Sequence, residues 1–364
     1  MANKVVIVSF VLLVLIGIMT YLILFGDIVG TSPGMLEECN SLGNNAGGIN
    51  IVFFATREMA QEYVDYFSSR NPFVDNEGKF NFYYIDDYVP QCEFYDGVVL
   101  YCYSKELIQK AASCPSDFIV VLEEHPVSIR SSAYINVMSL NMNHPLSVFL
   151  HEFGHVFANF AEEYVDPNAR IPSGAKNCQA NCEDFNSVSV CYEGCTKSDF
   201  FRTFFKGVMR TLEVNEYGPY DDNLIQERID EEVDDSGLLT GEVIGEIINC
   251  EDERYYLVTE ECDGQISIEI DNGCAGNSGY GSNEIRVLDK NQNEIITQEV
   301  SEGFLFSTLP GRELGGETYD NVCPRYYQIK IIPEAEEIQI VNSDGDVTGF
   351  VEVRNLGYRP SRID

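Results

Sequence analysis

The sequence predicts an α/β (α+β) domain followed by an all-β sandwich-like domain, behind an N-terminal transmembrane helix. Three observations carry that expectation. An uncharged apolar run stands at Val5 to Phe25. Between residues 49 and 233, apolar strand-like runs interchange with stretches of helical spacing. From residue 263 onward the texture is short β-like runs separated by Gly, Asn and Asp. The expected divisions are residues 1–26 as a transmembrane signal anchor, 27–48 as a linker, 49–233 as one folded domain, 234–262 as a boundary segment and 263–364 as an accessory β domain.

At about 1.5 Å per residue, Val5 to Phe25 is long enough to cross a hydrocarbon layer of ~30 Å. A cleaved signal peptide is the rival reading, but its apolar region spans only about 7 to 15 residues, and no small-x-small site precedes Asp27. Lys4 lies before the run and Asp27, Glu37 and Glu38 after it, which favours a single-pass protein of the cell membrane with its domains outside the cytoplasm. The 12 cysteines all follow the run, an even number that in an exported domain favours disulfides. Spacing does not fix their connectivity, although the gap between Cys195 and Cys250 suggests pairing local to each half. A formal net charge of −36 makes nucleic acid an unfit partner.

Gly30 to Gly48 is rich in Gly, Asn and Ser and reads as a tether. Ile49 to Ala55, INIVFFA, suits a strand buried on both faces, and Arg57 to Ser69 places Met59, Tyr63, Tyr66 and Phe67 at helical spacing. Lys79 to Ile85 alternates as a second strand, Lys105 to Ser113 is a short helix, and Asp117 to Leu122 is a third strand. Ser132 to Leu140 reads as a fourth, placed where a strand before a site helix can form a cleft edge to which an extended peptide adds.

The next helix carries the chemistry. VFLHEFGHVFANFAEEYV, Val148 to Val165, contains His-Glu-x-x-His at His151, Glu152 and His155. Positions i and i+4 share a helix face, so the two histidines can close two corners of a zinc tetrahedron. Glu152 points roughly 100° away around the turn, beside the metal, where a general base is wanted. The helix is expected to begin near Asn143, with Asn143 or His144 as cap and Pro145 in the first turn. The chain has 4 histidines, and His125 and His144 read better as surface or cap residues than as ligands. A third ligand must then be a carboxylate or a thiolate; thiols of an exported chain are expected to be oxidised, and the nearest carboxylates are Glu162 and Glu163. A straight helix would carry Glu162 ~10 Å along the axis from His155. The helix must therefore stop and turn back, and Asn159 tolerates the left-handed conformation that permits this.

HEFGHVFANFAEEY resembles the HEFGHSFxGLxDEY signature of the igalysin metallopeptidases, the IgA-protease-like branch of the metzincins. In that pattern a glycine turns the chain and an acid three residues later completes the zinc site; Asn159 and Glu162 stand at those positions, with Glu163 the alternative third ligand. The resemblance covers residues 49 to 233 and includes INIVFFAT, Asn71 to Phe73, KFNFYYID and the segment around Cys114. FFRTFFKGVMRTL, Phe200 to Leu212, is similar to the segment bearing the metzincin Met-turn, which implies Met209 as a hydrophobic floor beneath the zinc. Some metzincins have a tyrosine two residues after that methionine; here the position is Thr211, leaving the oxyanion donor unassigned. The resemblance implies a metzincin-like zinc peptidase domain with one catalytic Zn²⁺ and a protein or peptide substrate.

Cys178, Cys182, Cys191 and Cys195 form a C-x3-C, x8, C-x3-C pattern that suits two disulfides beside the cleft, with a structural zinc as the alternative. Asp221 to Val233 reads as a closing helix. Beyond it, ISIEI, EIRVL, EIITQEV, FLFST, YQIKIIP, EIQIV and VTGFVEV suggest a sandwich, and GCAGNSGYG, Gly273 to Gly281, an exposed loop. The expected function is a membrane-anchored, extracytoplasmic zinc metalloendopeptidase with Glu152 as base. The alternative is a non-catalytic adhesion or binding protein on the same scaffold.

Overall fold

In the computed structural model, the described residues are 36–43, 48–166, 169–185, 188, 190–239, 249–309 and 315–356. The expected membrane span at Val5 to Phe25 lies outside them. Among the described residues no helix is long and apolar enough to cross a membrane.

The described residues from Leu36 onward form one compact unit. Its first half supplies the strands β1 (Asn40–Gly43), β2 (Ile49–Phe54), β3 (Phe80–Ile85), β4 (Glu93–Tyr95), β5 (Val99–Tyr101), β6 (Phe118–Glu123), β7 (Ser131–Tyr134) and β8 (Val137–Asn141). Interleaved are α1 (Arg57–Ser68), capped by the Thr56 hydroxyl, and α2 (Lys105–Ala111), capped by Ser104. The site helix α3 is Ser147–Ala158 and α4 is Pro219–Leu239. Strands β3, β2, β6 and β8 run parallel, and β7 pairs antiparallel beyond β8. Ile51, Val52, Phe53, Ile119, Val120 and Val121 are all fully buried, as expected of parallel strands covered on both faces. One face packs on α3 through Phe149, Phe153 and Phe157, where Phe53 and Phe67 meet Phe149 edge-on or tilted.

The single strand expected over Ser132 to Leu140 is two. The chain reverses at Ile135, which takes a left-handed φ of 56°, and Asn136 secures the turn by donating to the Asp117 and Asn277 carbonyls. Local alternation does not reveal such a reversal, because the apolar pattern continues through it.

The expected fold class also needs correction. Strand predominates over helix, and an α/β domain followed by a separate all-β domain is not what forms. The later strands are β9 (Tyr192–Cys195), β10 (Lys197–Arg202), β11 (Arg254–Glu260), β12 (Ile266–Asn272), β13 (Asn283–Leu288), β14 (Glu294–Val300), β15 (Leu305–Leu309), β16 (Gly315–Tyr319), β17 (Arg325–Lys330), β18 (Glu337–Val341) and β19 (Val347–Glu352). A three-stranded sheet, β12-β11-β17, and a four-stranded one, β14-β13-β18-β19, enclose a core of Val258, Ile285, Val287, Tyr327, Ile338 and Ile340. The FLFST run leaves them: β15 pairs with β7, and the first sheet becomes β1-β3-β2-β6-β8-β7-β15-β16. Cores are shared accordingly, Tyr255, Leu257 and Leu305 packing with Val121, Tyr134 and Val137. The Gly273 to Gly281 loop is not exposed throughout. Cys274 donates its amide to Ala112, Ser278 is buried, and the buried Tyr280 lies under the Arg228 guanidinium at 3.6 Å.

All 12 cysteines are paired: Cys39–Cys114, Cys92–Cys102, Cys178–Cys195, Cys182–Cys191, Cys250–Cys274 and Cys262–Cys323. No bond crosses the gap between Cys195 and Cys250, and the four closely spaced cysteines form two disulfides and not a metal site. Six such bonds fit an oxidising, extracytoplasmic setting. Cys39–Cys114 also explains why Asn40–Gly43, within a stretch of tether-like composition, adds to the sheet edge beside β3.

Candidate metal centre

Helix α3 starts at Ser147, a turn later than expected, with no side-chain cap; the Pro145 and Leu146 carbonyls accept from Val148 and Phe149. Its end is the decisive part. Asn159 is left-handed (φ 51°, ψ 36°), and the Phe160 amide returns to the Gly154 carbonyl. The chain folds back so that Glu162 faces the two histidines.

Three ligand atoms converge. His151 Nε2 and His155 Nε2 are 3.2 Å apart, and each lies 3.3 Å from a different Glu162 carboxylate oxygen. Zinc bonds of about 2.0–2.1 Å at tetrahedral angles put ligand atoms ~3.3 Å apart, so these separations fit one small cation at their centre. The tautomers agree. His151 Nδ1 donates to the Val208 carbonyl at 2.9 Å and His155 Nδ1 to the Phe160 carbonyl at 2.7 Å, which turns both Nε2 atoms inward. Both Glu162 oxygens are buried without a hydrogen-bond partner, as a metal ligand would be before its ion is counted. Among the described residues this is the one group of three or more His, Cys, Asp or Glu with ligand atoms mutually within 4.8 Å.

The electrostatics have a consistent sign. Burial pushes Glu162 upward, but the two imidazoles overcome it and hold the carboxyl at about 2. Burial would lower His151, yet the Glu162 carboxylate, with Glu152 behind it, lifts it to about 9. Both shifts have the sign of a site that favours positive charge between these groups. Burial raises Glu152 to about 7 against the pull of both histidines, near the range a general base needs.

Glu163 turns elsewhere. It lies against Asp221 in α4 and near Arg202, and burial pushes both carboxyls upward. Met209 is fully buried; a Cβ on Gly154 would stand 2.7 Å from its sulfur, which is why the third helix position after His151 carries no side chain. The Met209 carbonyl accepts from the Glu163 amide. Thr211 is buried and its hydroxyl accepts from the Glu213 amide, away from the histidines. His144 bonds Ser131 and the Val127 carbonyl, and His125 stands 3.8 Å from Glu123; neither joins the cluster.

Several contributors were not legible in advance. The Phe306 ring stacks on His155 at 4.0 Å and 5°, and Thr308 approaches Glu152. The buried Tyr164 phenol approaches Glu162. Tyr164, two residues after Glu162, stands in the signature itself and had a local signal; Phe306 and Thr308 had none. The returning segment is clamped from the disulfide loop. The Asn177 side chain accepts from the Ala161 amide and donates to its carbonyl, and the Thr196 hydroxyl donates to the Glu162 carbonyl at 2.6 Å. Cys178–Cys195 ties these clamps together across 17 residues. Replacing both cysteines by serine should therefore cost about 3 kcal/mol in urea unfolding and weaken metal retention. An unchanged midpoint and metal content would show that the clamps hold without it.

No family model matches the chain, and no curated protein matches it. What the fold and the geometry define is a buried two-histidine, one-carboxylate cluster able to hold a metal ion, with a free carboxylate beside it.

Proposed function

We propose that the protein is an extracytoplasmic zinc metallopeptidase of the igalysin kind. The convergence of His151, His155 and Glu162 at one cation's ligand spacing, with Glu152 adjacent, carries the reading. Two imidazoles and one carboxylate are the donor set of a catalytic zinc site with an open fourth position. A bound Zn²⁺ would supply the Lewis acidity that activates a water and polarises a peptide carbonyl. Glu152, beside the two histidines, would be the group placed to hold a proton taken from water and to pass it to the departing amine. The Val208 and Phe160 carbonyls keep both imidazoles in the ligating tautomer, and the Met209 side chain packs against Gly154 of the site helix. The resemblance of HEFGHVFANFAEEY to the igalysin signature supports the class.

Purified protein loaded with zinc should cleave casein or members of a peptide library, lose the activity to a chelator and regain it with zinc. Cleavage undiminished by complete metal removal would overturn the proposal. One observation favours a second reading, a non-catalytic binding protein on the same scaffold: Glu152 is fully buried. Metal-loaded protein that cleaves nothing, even with the site opened, would favour it.

A further inference from the structure

We infer that the β15–β16 hairpin is this chain's own strand seated on the edge where a substrate would pair, and that it must leave that edge before the metal centre can be reached. The inference rests on the peptidase reading above.

Strand β7 is antiparallel to β8 beside α3, and Ser131 at its start bonds His144 just before the helix. An extended peptide adds to such an edge by main-chain hydrogen bonds, with alternate side chains directed to the site. Here β15 holds that place in antiparallel register, Leu305 opposite Tyr134, Phe306 opposite Ala133, Ser307 opposite Ser132 and Thr308 opposite Ser131. Its alternation is that of a substrate. Phe306 and Thr308 face the helix, one stacked on His155 and the other beside Glu152. Leu305 joins the opposite core and Ser307 bonds the Glu317 backbone.

The cover is complete. His151, Glu152, His155 and Glu162 are exposed by 0%, 0%, 4% and 1%. A peptide carbonyl has to come within hydrogen-bonding reach of the water beside Glu152, and an external chain cannot while β15 is in place. The hairpin and an incoming strand would use the same β7 donors and acceptors, so one excludes the other. Gly316 lets β16 pair closely with β15 and lie against Tyr164: a Cβ there would collide with the Ser307 carbonyl inside the hairpin and with the Tyr164 hydroxyl outside it.

The test uses zinc-loaded full-length protein and three readouts: hydrolysis of a quenched peptide library, the rate of zinc loss to a chelator, and hydrogen exchange at residues 131–134. Gly316→Val should push the hairpin off, with Phe306→Ala as the substitute if that variant does not fold. A Ser132→Cys, Ser307→Cys pair, on opposed positions facing away from the metal, should lock it. Release should raise hydrolysis, zinc loss and β7 exchange by about tenfold or more, and the lock should lower all three below wild type. A locked protein that hydrolyses as fast as wild type overturns the inference. So does a released one with faster exchange but unchanged hydrolysis, where wild type is active. If no variant hydrolyses anything, faster zinc loss on release keeps the cover and overturns the peptidase reading; unchanged zinc loss overturns the cover.

Discussion

Glu162→Ala should strip the protein of its zinc, while Glu163→Ala should keep one zinc per chain. Glu162 places one oxygen 3.3 Å from each histidine nitrogen, so its removal takes away one of three ligands. The loss in affinity should exceed the ~10–100-fold typical of an outer-shell partner. Glu163 faces Asp221 in α4. Its truncation leaves a buried carboxyl without its partner, which should cost about 1–3 kcal/mol of stability and leave the ion bound. Metal analysis after exhaustive dialysis, paired with denaturant unfolding, separates the two effects. Zinc lost from Glu163→Ala and retained by Glu162→Ala would reverse the ligand assignment.

The division between what the chain declared and what it withheld follows the range of the interactions. His151, Glu152 and His155 are related by helix geometry alone, and Asn159 and Glu162 by a turn a few residues on, so local reasoning reaches them. The choice between Glu162 and Glu163 depends on Asp221, some sixty residues away, and sequence left it open. The FLFST alternation announces a strand but not its neighbour. Its pairing with β7 across more than 170 residues is a tertiary fact, and it is what merges the expected accessory domain with the sheet beside the site. Disulfide partners share this character, apart from their confinement to each side of the Cys195 to Cys250 gap. The reversal at Ile135 was hidden for a different reason: a β-branched residue with a positive φ breaks the local rule, and the turn is held by a side chain reaching Asp117 and Asn277.

Glu152→Gln should abolish hydrolysis while leaving the metal in place. Both Glu152 oxygens are buried without a hydrogen-bond partner, beside the two histidines and outside the ligand set. The Thr308 side chain beside it can still meet an amide of the same shape, which fills the same volume. What the amide cannot do is accept a proton from water, so turnover should fall by about 10²–10⁴-fold. Zinc content should match wild type, and the unfolding midpoint should be no lower, because removing a buried carboxyl raised to about 7 relieves a desolvation cost. The comparison is made in the Gly316→Val background as well, so that a covered site is not mistaken for an inert one. A Gln variant that turns over as wild type does would remove Glu152 from the mechanism. One that loses its zinc would instead make it part of the metal's support, and the division of labour between His151, His155 and Glu162 on one side and Glu152 on the other would have to be redrawn.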